Sequence, residues 1–273
     1  MEPAMPTINT IQGELHYDLL DATPPWVESP ATILFHHGVA INSGIWSSWI
    51  QELSDQYRIL TFDVRGYGKS HIPDENFEWS FEGLAQDVMA VADAAGAENF
   101  HFVGESMGGA MGLYLGIHHP ERLLSITPCT SPHNGGKVQW LVEWRDFIAE
   151  HGMKGWSERM MSRRFFSGGI DKNAEQWFAS TQAACSSNSV LGHGEMLLDV
   201  NLTSDLDSIT NPVHLIAADS SPFLPLSITF EIHNSLPNSE MNVIAKARHG
   251  VVFSHATLCA RSLRGFIDRL EKA

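Results

Sequence analysis

The stretch Val103-Gly104-Glu105-Ser106-Met107-Gly108-Gly109 sets a serine between glycines two positions away on either side, after an apolar run and before a helix-like one. Such a G-x-S-x-G turn can hold a hydroxyl on a strained strand-to-helix bend, with the positive end of the following helix aimed at the reaction centre. Ser106 is therefore the candidate nucleophile; a glycine-rich turn with an incidental serine is the plainer alternative. A serine hydroxyl needs a base to take its proton. Among fourteen histidines, position selects His249, because Ala247-Arg248-His249-Gly250 falls between the last expected strand and the last expected helix. A capping or core histidine is the alternative there. His118, His119, His193, His233 and His255 have no comparable placement and read as surface or packing residues. An attacked carbonyl develops negative charge on its oxygen, and two N–H donors must meet it. The Met107 amide follows the serine directly, and Phe35-His36-His37-Gly38-Val39, a strand ending in His-Gly, would offer the Val39 amide. No H-E-x-x-H or other close ligand set suggests a metal, and no cofactor is expected.

These residues need a scaffold that brings distant segments together. Short β-rich runs at 31–35, 58–62, 99–103, 123–127, 213–217 and 241–244 are followed by turns and mostly by helical patterns, and the first segment, 7–19, reads as a hairpin near Gly13. In 79–95, Phe81, Leu84, Ala85, Val88, Ala92 and Ala95 make one apolar face, and Cys259, Leu263, Phe266, Ile267 and Leu270 make another at the end of the chain. Gly108, Gly112 and Gly116 give the helix after the serine a smooth face for close packing. Alternation of this kind predicts an α/β fold with a mostly parallel central sheet covered by helices on both faces. The strand rhythm stops between 132 and 210, where Trp140, Trp144, Trp156 and Trp177 stand in helix-like sequence. That stretch is expected to be a helical cap inserted after the sixth strand, leaving a core domain of 1–131 and 211–273. A cap at this place lies over the carboxyl ends of the strands, where open sheets form ligand crevices.

Composition narrows the function classes. The 273 residues carry 17 basic and 32 acidic side chains, a formal charge of −15, so phosphate backbones and anionic lipid surfaces would be repelled. No nucleic-acid or membrane partner is expected, only a small-molecule substrate, with a homodimer left open. Cys129, Cys185 and Cys259 form no close pair, which suggests neither disulfides nor a zinc site and favours the cytoplasm. Glu2 stands where an export leader would carry positive charge, and the apolar runs are far shorter than the roughly 20 residues of a membrane span.

His37-Gly38, the run Asp63-Val64-Arg65-Gly66-Tyr67-Gly68-Lys69-Ser70, the turn at Ser106 and the late His249 together resemble the α/β-hydrolase superfamily over 7–270. Within it, Ser106-Met107-Gly108-Gly109, His119-Pro120-Glu121-Arg122-Leu123, Arg164-Phe165-Phe166 and Asp205-Leu206 are most similar to 3-oxoadipate enol-lactonase-like and related small-ester hydrolases. The resemblance implies a serine esterase or lactonase with an acyl-enzyme, Ser106 as nucleophile, His249 as base and the Val39 and Met107 amides as oxyanion donors. It gives the 63–70 run a structural role only. It also exposes a departure. The acid expected after the 213–217 strand, at the last position of a G-x-x-D turn, is Ser221 here, and Asp219 two residues earlier is the candidate to replace it. Otherwise the site runs as a Ser-His pair.

His37, Gly38, Trp140, Trp144 and Arg164 are the candidate substrate contacts. Arg164, with Lys154, Arg159 and Arg163, would suit a substrate carboxylate, whereas basic residues at helix spacing more often form a solvated face. The tryptophans would line an apolar pocket or hold the cap down. Two alternatives to the ester or lactone hydrolase stay open: a carbon–carbon bond hydrolase of ring-cleavage products using the same pair, and a non-catalytic ligand-binding member of the superfamily, which the missing aspartate favours.

Overall fold

The computed structural model of the chain describes residues 6–138 and 141–272. Strands β1 (Thr7–Thr10) and β2 (Gly13–Leu20) form the opening hairpin and are followed by β3 (Thr32–His36). Next come α1 (Ser47–Leu53), β4 (Arg58–Phe62), α2 (Phe81–Ala94), β5 (Phe100–Glu105), α3 (Met107–His118) and β6 (Leu123–Cys129). Helices α4 (Trp144–Arg164), α5 (Lys172–Ala183) and α6 (Ser187–Asp199) follow without a further strand. The chain returns to the sheet through β7 (Val213–Ala218), α7 (Leu226–Ser235) and β8 (Ser239–Ile244), and ends with α8 (Val251–Ser254) and α9 (Ala256–Leu270).

The sheet has eight strands in the order β1-β2-β4-β3-β5-β6-β7-β8. The β1–β2 and β2–β4 pairs are antiparallel, and all pairs from β4 to β8 are parallel. Parallel strands covered on both faces must be apolar throughout, and β3, β5 and β7 are buried at every residue. One core layer joins α2 and α3 to the sheet through residues such as Val88, Leu113, Phe102 and Ile126. The other packs α1 and α9 on the opposite face through Trp49, Phe35, Ile216, Leu263 and Ile267. Trp46 lies in this second layer, tilted on Phe35 and edge-on to Trp49.

Register does the positioning. His36 pairs with Gly104, Glu105 with Cys129, and Cys129 with Ile216, so β3, β5, β6 and β7 end side by side. The sequence pattern ends β5 and β6 two residues early, at 103 and 127, because Gly104, Glu105 and Pro128 look like loop residues. Ladder pairing with the neighbouring strands carries both elements on to Glu105 and Cys129.

Helices α4 to α6 fill the stretch between β6 and β7, and an isolated antiparallel bridge between Asn134 and Asn201 ties its two stems together. Helix α4 breaks at Gly152, where φ is 65°. Its carboxyl end docks on the core: the Gly250 N–H donates to the Arg164 carbonyl at 3.0 Å, and Phe165 packs on Phe178 and Phe253. Among the described residues no helix is long and apolar enough to cross a membrane.

Candidate active site

Ser106 joins β5 to α3 with φ 55° and ψ −113°, a conformation that costs a non-glycine residue on the order of 1–3 kcal/mol. The surrounding glycines make the bend physically possible. A Cβ on Gly104 would stand 2.1 Å from the Gly108 carbonyl oxygen, and one on Gly108 would stand 2.3 Å from that of His36. The strain is held by the strand on one side and the helix on the other: the Ser106 N–H donates to the Cys129 carbonyl at 3.0 Å, and its own carbonyl accepts from Gly109 and Ala110. Further along α3, Gly112 and Gly116 let the helix settle on Phe102 and Ile126.

The Ser106 Oγ lies 2.9 Å from His249 Nε2. His249 follows β8 in a buried loop, with the Phe223 ring edge-on at 4.8 Å. On its other side, Nδ1 lies 3.1 Å from Ser221 Oγ. For Nε2 to accept the serine proton, Nδ1 must carry hydrogen and donate to Ser221, whose oxygen also accepts from the Leu224 N–H at 3.3 Å. The result is a Ser106–His249–Ser221 chain in which a hydroxyl orients the imidazole without offering charge. Burial, and after it the Arg164 cation, pushes the His249 pKa down to about 3, so the imidazole is neutral and ready to accept a proton at ordinary pH.

Asp219 does not complete the chain, which corrects that expectation. Its exposed carboxylate accepts from the Lys246 and Ala247 amides at 2.9 and 3.1 Å, and those contacts hold its pKa below the usual carboxylate range. The turn does not rotate it inward, and the position facing His249 belongs to Ser221. The 63–70 run has the structural role the resemblance implies. Asp63 accepts from Ser43 and from the Lys69 amide, while Arg65 is buried in a bidentate pair with Asp87.

Above Ser106 lies an apolar cavity lined by Val39, Pro132, Val138, Trp144, Arg164, Leu197, Phe223, Leu224 and His249. Its volume of about 20 Å³ is enough for a single water. Val39 thus borders the reacting serine, and Met107 opens α3, where the first amides have no partner within the helix. Trp144 lines the cavity edge-on to Trp156, so it is both wall and packing. Trp140 lies outside the described residues.

Three other expected contacts are corrected. His37 is fully buried, bonds its own loop through Nδ1 to the Gly38 carbonyl and accepts the Val64 N–H at Nε2, so it braces the loop and does not reach the cavity. Gly38 faces Glu105, since a Cβ there would stand 1.9 Å from Glu105 Oε2. Arg164 does border the cavity, but its fork is engaged: Nε donates to Gln182 Oε1 at 2.7 Å, Nη2 donates to the Val39 carbonyl at 2.9 Å, and Nη1 lies 3.7 Å from Glu105 Oε1. It steadies the Val39 loop and faces an internal carboxyl, so it is no open fork for a substrate carboxylate. The neighbouring α4 cation Arg159 pairs with Glu143 and lies over Phe147.

Glu105 is the site residue that the sequence reading passed over. It is fully buried, with Oε1 3.8 Å from His249 Nε2, and burial pushes its pKa up to about 7 against the pull of Arg164 and the Gly38 amide. Its signal was an acidic residue at the end of an otherwise apolar strand. Among the described residues no group of three or more histidine, cysteine, aspartate or glutamate side chains could hold a metal ion.

The fold of this sheet is shared by similar proteins. The family model for the alpha/beta hydrolase fold matches residues 31–256. The 3-oxoadipate enol-lactonase 1 of Acinetobacter baylyi is 28% identical over 200 residues, 71% of this chain and 73% of that protein. A protein of Agrobacterium fabrum provisionally named carbamate hydrolase RutD is 25% identical over 264 residues, covering 93% of this chain and 98% of its own. In structure, the enol-lactonase from Burkholderia xenovorans superposes with a TM-score of 0.87 at 18% identity, covering 96% of this chain and all of its own (100%). The chain belongs to the α/β-hydrolase fold family, and it is a hydrolase.

Proposed function

We propose that this protein is a cofactor-independent serine hydrolase that cleaves small esters or lactones through an acyl-enzyme. The observation that carries the reading is the 2.9 Å contact between Ser106 Oγ and His249 Nε2 at the floor of an apolar cavity, with the serine held at φ 55°. Ser106 attacks the carbonyl carbon while its proton passes to Nε2, and the Val39 and Met107 amides receive the oxyanion. The imidazolium then protonates the leaving oxygen, and a water activated by the same nitrogen releases the acyl group. For a lactone the leaving alcohol stays tethered to the acyl chain.

The apolar walls and the engaged Arg164 favour a short, uncharged acyl group over a carboxylated one. The names of the enol-lactonase relatives support the lactone branch. The relative named for carbamate hydrolysis supports a second reading, since a carbamate carbonyl can be attacked by the same serine. A panel of short-chain p-nitrophenyl esters, γ- and δ-lactones and alkyl carbamates, assayed with wild type and Ser106→Ala, tests the reading. Ser106-dependent turnover that is best on esters or lactones is expected. Preference for carbamates would move the assignment to the second reading, and Ser106-independent turnover would overturn both.

A further inference from the structure

In a triad, the carboxylate on Nδ1 does two things: it orients the imidazole and it stabilises the imidazolium by charge. Ser221 can do only the first. The imidazolium formed at His249 would then arise in a buried site where the Arg164 cation opposes it. Among the described residues, one carboxyl lies within 4 Å of the ring: Glu105, with Oε1 3.8 Å from Nε2.

We propose that Glu105, the residue immediately before the nucleophile, supplies the negative charge that stabilises the His249 imidazolium, acting as a positioning residue while Ser221 orients the ring. The inference rests on the serine-hydrolase reading above. Its geometry is tightly held. Glu105 ends β5 and is paired in register with Cys129, so its backbone is fixed by the sheet. Gly38 packs directly on the carboxyl, and its amide faces it. On the far side, Arg164 Nη1 lies 3.7 Å from Oε1, so one oxygen faces both the cation that offsets its burial and the imidazole that gains charge.

The proton count closes without Glu105 changing state. As Oγ bonds to the carbonyl carbon, the Ser106 proton moves to Nε2 and the carbonyl π pair moves to its oxygen. When the leaving group departs, the proton goes from Nε2 to that group. Glu105 remains a carboxylate throughout, so it must be ionised before the step begins.

A pH signature follows from what surrounds it. The groups facing Glu105 are Arg164 from α4, His249 from the loop after β8 and the Cys129 thiol from β6, while the 36–39 loop brings His36 and His37. The first turn of α3 brings no titratable side chain. Burial keeps both loop histidines neutral and pushes the Cys129 thiol well up. Near neutrality the carboxyl that changes charge is therefore Glu105, whose pKa is pushed up to about 7.

The test is kcat/KM for a short-chain p-nitrophenyl ester over roughly pH 5 to 9, together with the rate of fluorophosphonate labelling of Ser106, for wild type, Glu105→Gln and Glu105→Gln/Ser221→Asp. An opposite charge at this distance changes imidazole basicity by 1–3 pKa units, so Glu105→Gln should lose about 10- to 10³-fold at high pH. KM should move little, and the rise through neutral pH should flatten. The double variant, with a carboxylate on Nδ1, should recover about tenfold or more. Glu105→Gln protein that keeps the neutral-pH rise and the high-pH rate overturns the inference alone. So does a folded variant, judged by circular dichroism and thermal midpoint, whose loss is equal at every pH and not rescued. Wild type that neither turns over nor labels at any pH overturns the serine-hydrolase reading and this inference with it.

Discussion

Changing Ser221 to aspartate should make the enzyme faster. The Oγ lies 3.1 Å from His249 Nδ1, so a carboxylate at this position would sit about where a triad acid sits. Unit charges about 4 Å apart attract by about 4 kcal/mol at an effective dielectric of 20. Ser221 is only 8% exposed, so dehydrating the new carboxylate takes back part of this attraction. Two donors are already aimed at the position, the imidazole N–H and the Leu224 N–H, which limits that loss. If about half survives, the transition state gains about 2 kcal/mol, roughly 10- to 100-fold in kcat/KM. The gain should be largest below neutral pH, where Glu105 carries its proton and supplies no charge. Steady-state kinetics on a short-chain ester measures it, with urea unfolding to establish that the variant is folded. A folded Ser221→Asp protein no faster than wild type at any pH would refute the view that missing charge on Nδ1 limits the site.

Trp144→Ala should widen the acyl pocket. Each methylene newly buried is worth about 0.8 kcal/mol, so the hexanoate-to-acetate ratio of kcat/KM should rise at least about tenfold across a p-nitrophenyl ester series, and an unchanged ratio would remove Trp144 from the acyl wall. Asp219→Asn should leave kcat/KM within about twofold and lower stability by about 1 kcal/mol, because the carboxylate is held by the Lys246 and Ala247 amides and the Ser220 hydroxyl; a loss of several orders of magnitude would restore it as the acid. Burial pushes the pKa of His36, His193 and His249 down to about 3 and that of His101 to about 4. Between those values and 6.5 the unfolded chain binds more protons, so their contribution is fully present above about pH 6.5 and is lost as pH falls. Urea unfolding should show a fall of about 3 kcal/mol or more from pH 7 to 5, and a flat profile would contradict the burial of neutral rings.

Most of the frame was legible because its causes are local. Parallel strands covered on both faces are near-continuous apolar runs, so the runs at 31–35, 58–62 and 213–217 find β3, β4 and β7 to within one residue at each end. Ser106 and His249 were legible because an elbow needs its flanking glycines and because the chain returns to the carboxyl end of the sheet only at a few loops. The third position was not. Whether Asp219 or Ser221 faces His249 depends on how a short loop turns against β8, and the amides of Lys246 and Ala247, which capture Asp219, are 27 and 28 residues away. Glu105 escaped for a similar reason. Its two partners, Arg164 and His249, come from α4 and the loop after β8, and no periodicity links them. Arg164 read as a ligand for an outside anion because its internal carboxyl was not in view.

The account stands on Ser106 as an activated nucleophile. Intact-mass and peptide-mapping analysis of the protein after a fluorophosphonate tests this most directly, with Ser106→Ala and His249→Ala in parallel. Near-stoichiometric modification of Ser106, absent in the serine variant and slowed by about 10⁴-fold or more in the histidine variant, is the expected result. Folded wild-type protein that stays unmodified, or that labels equally fast without His249, would contradict it.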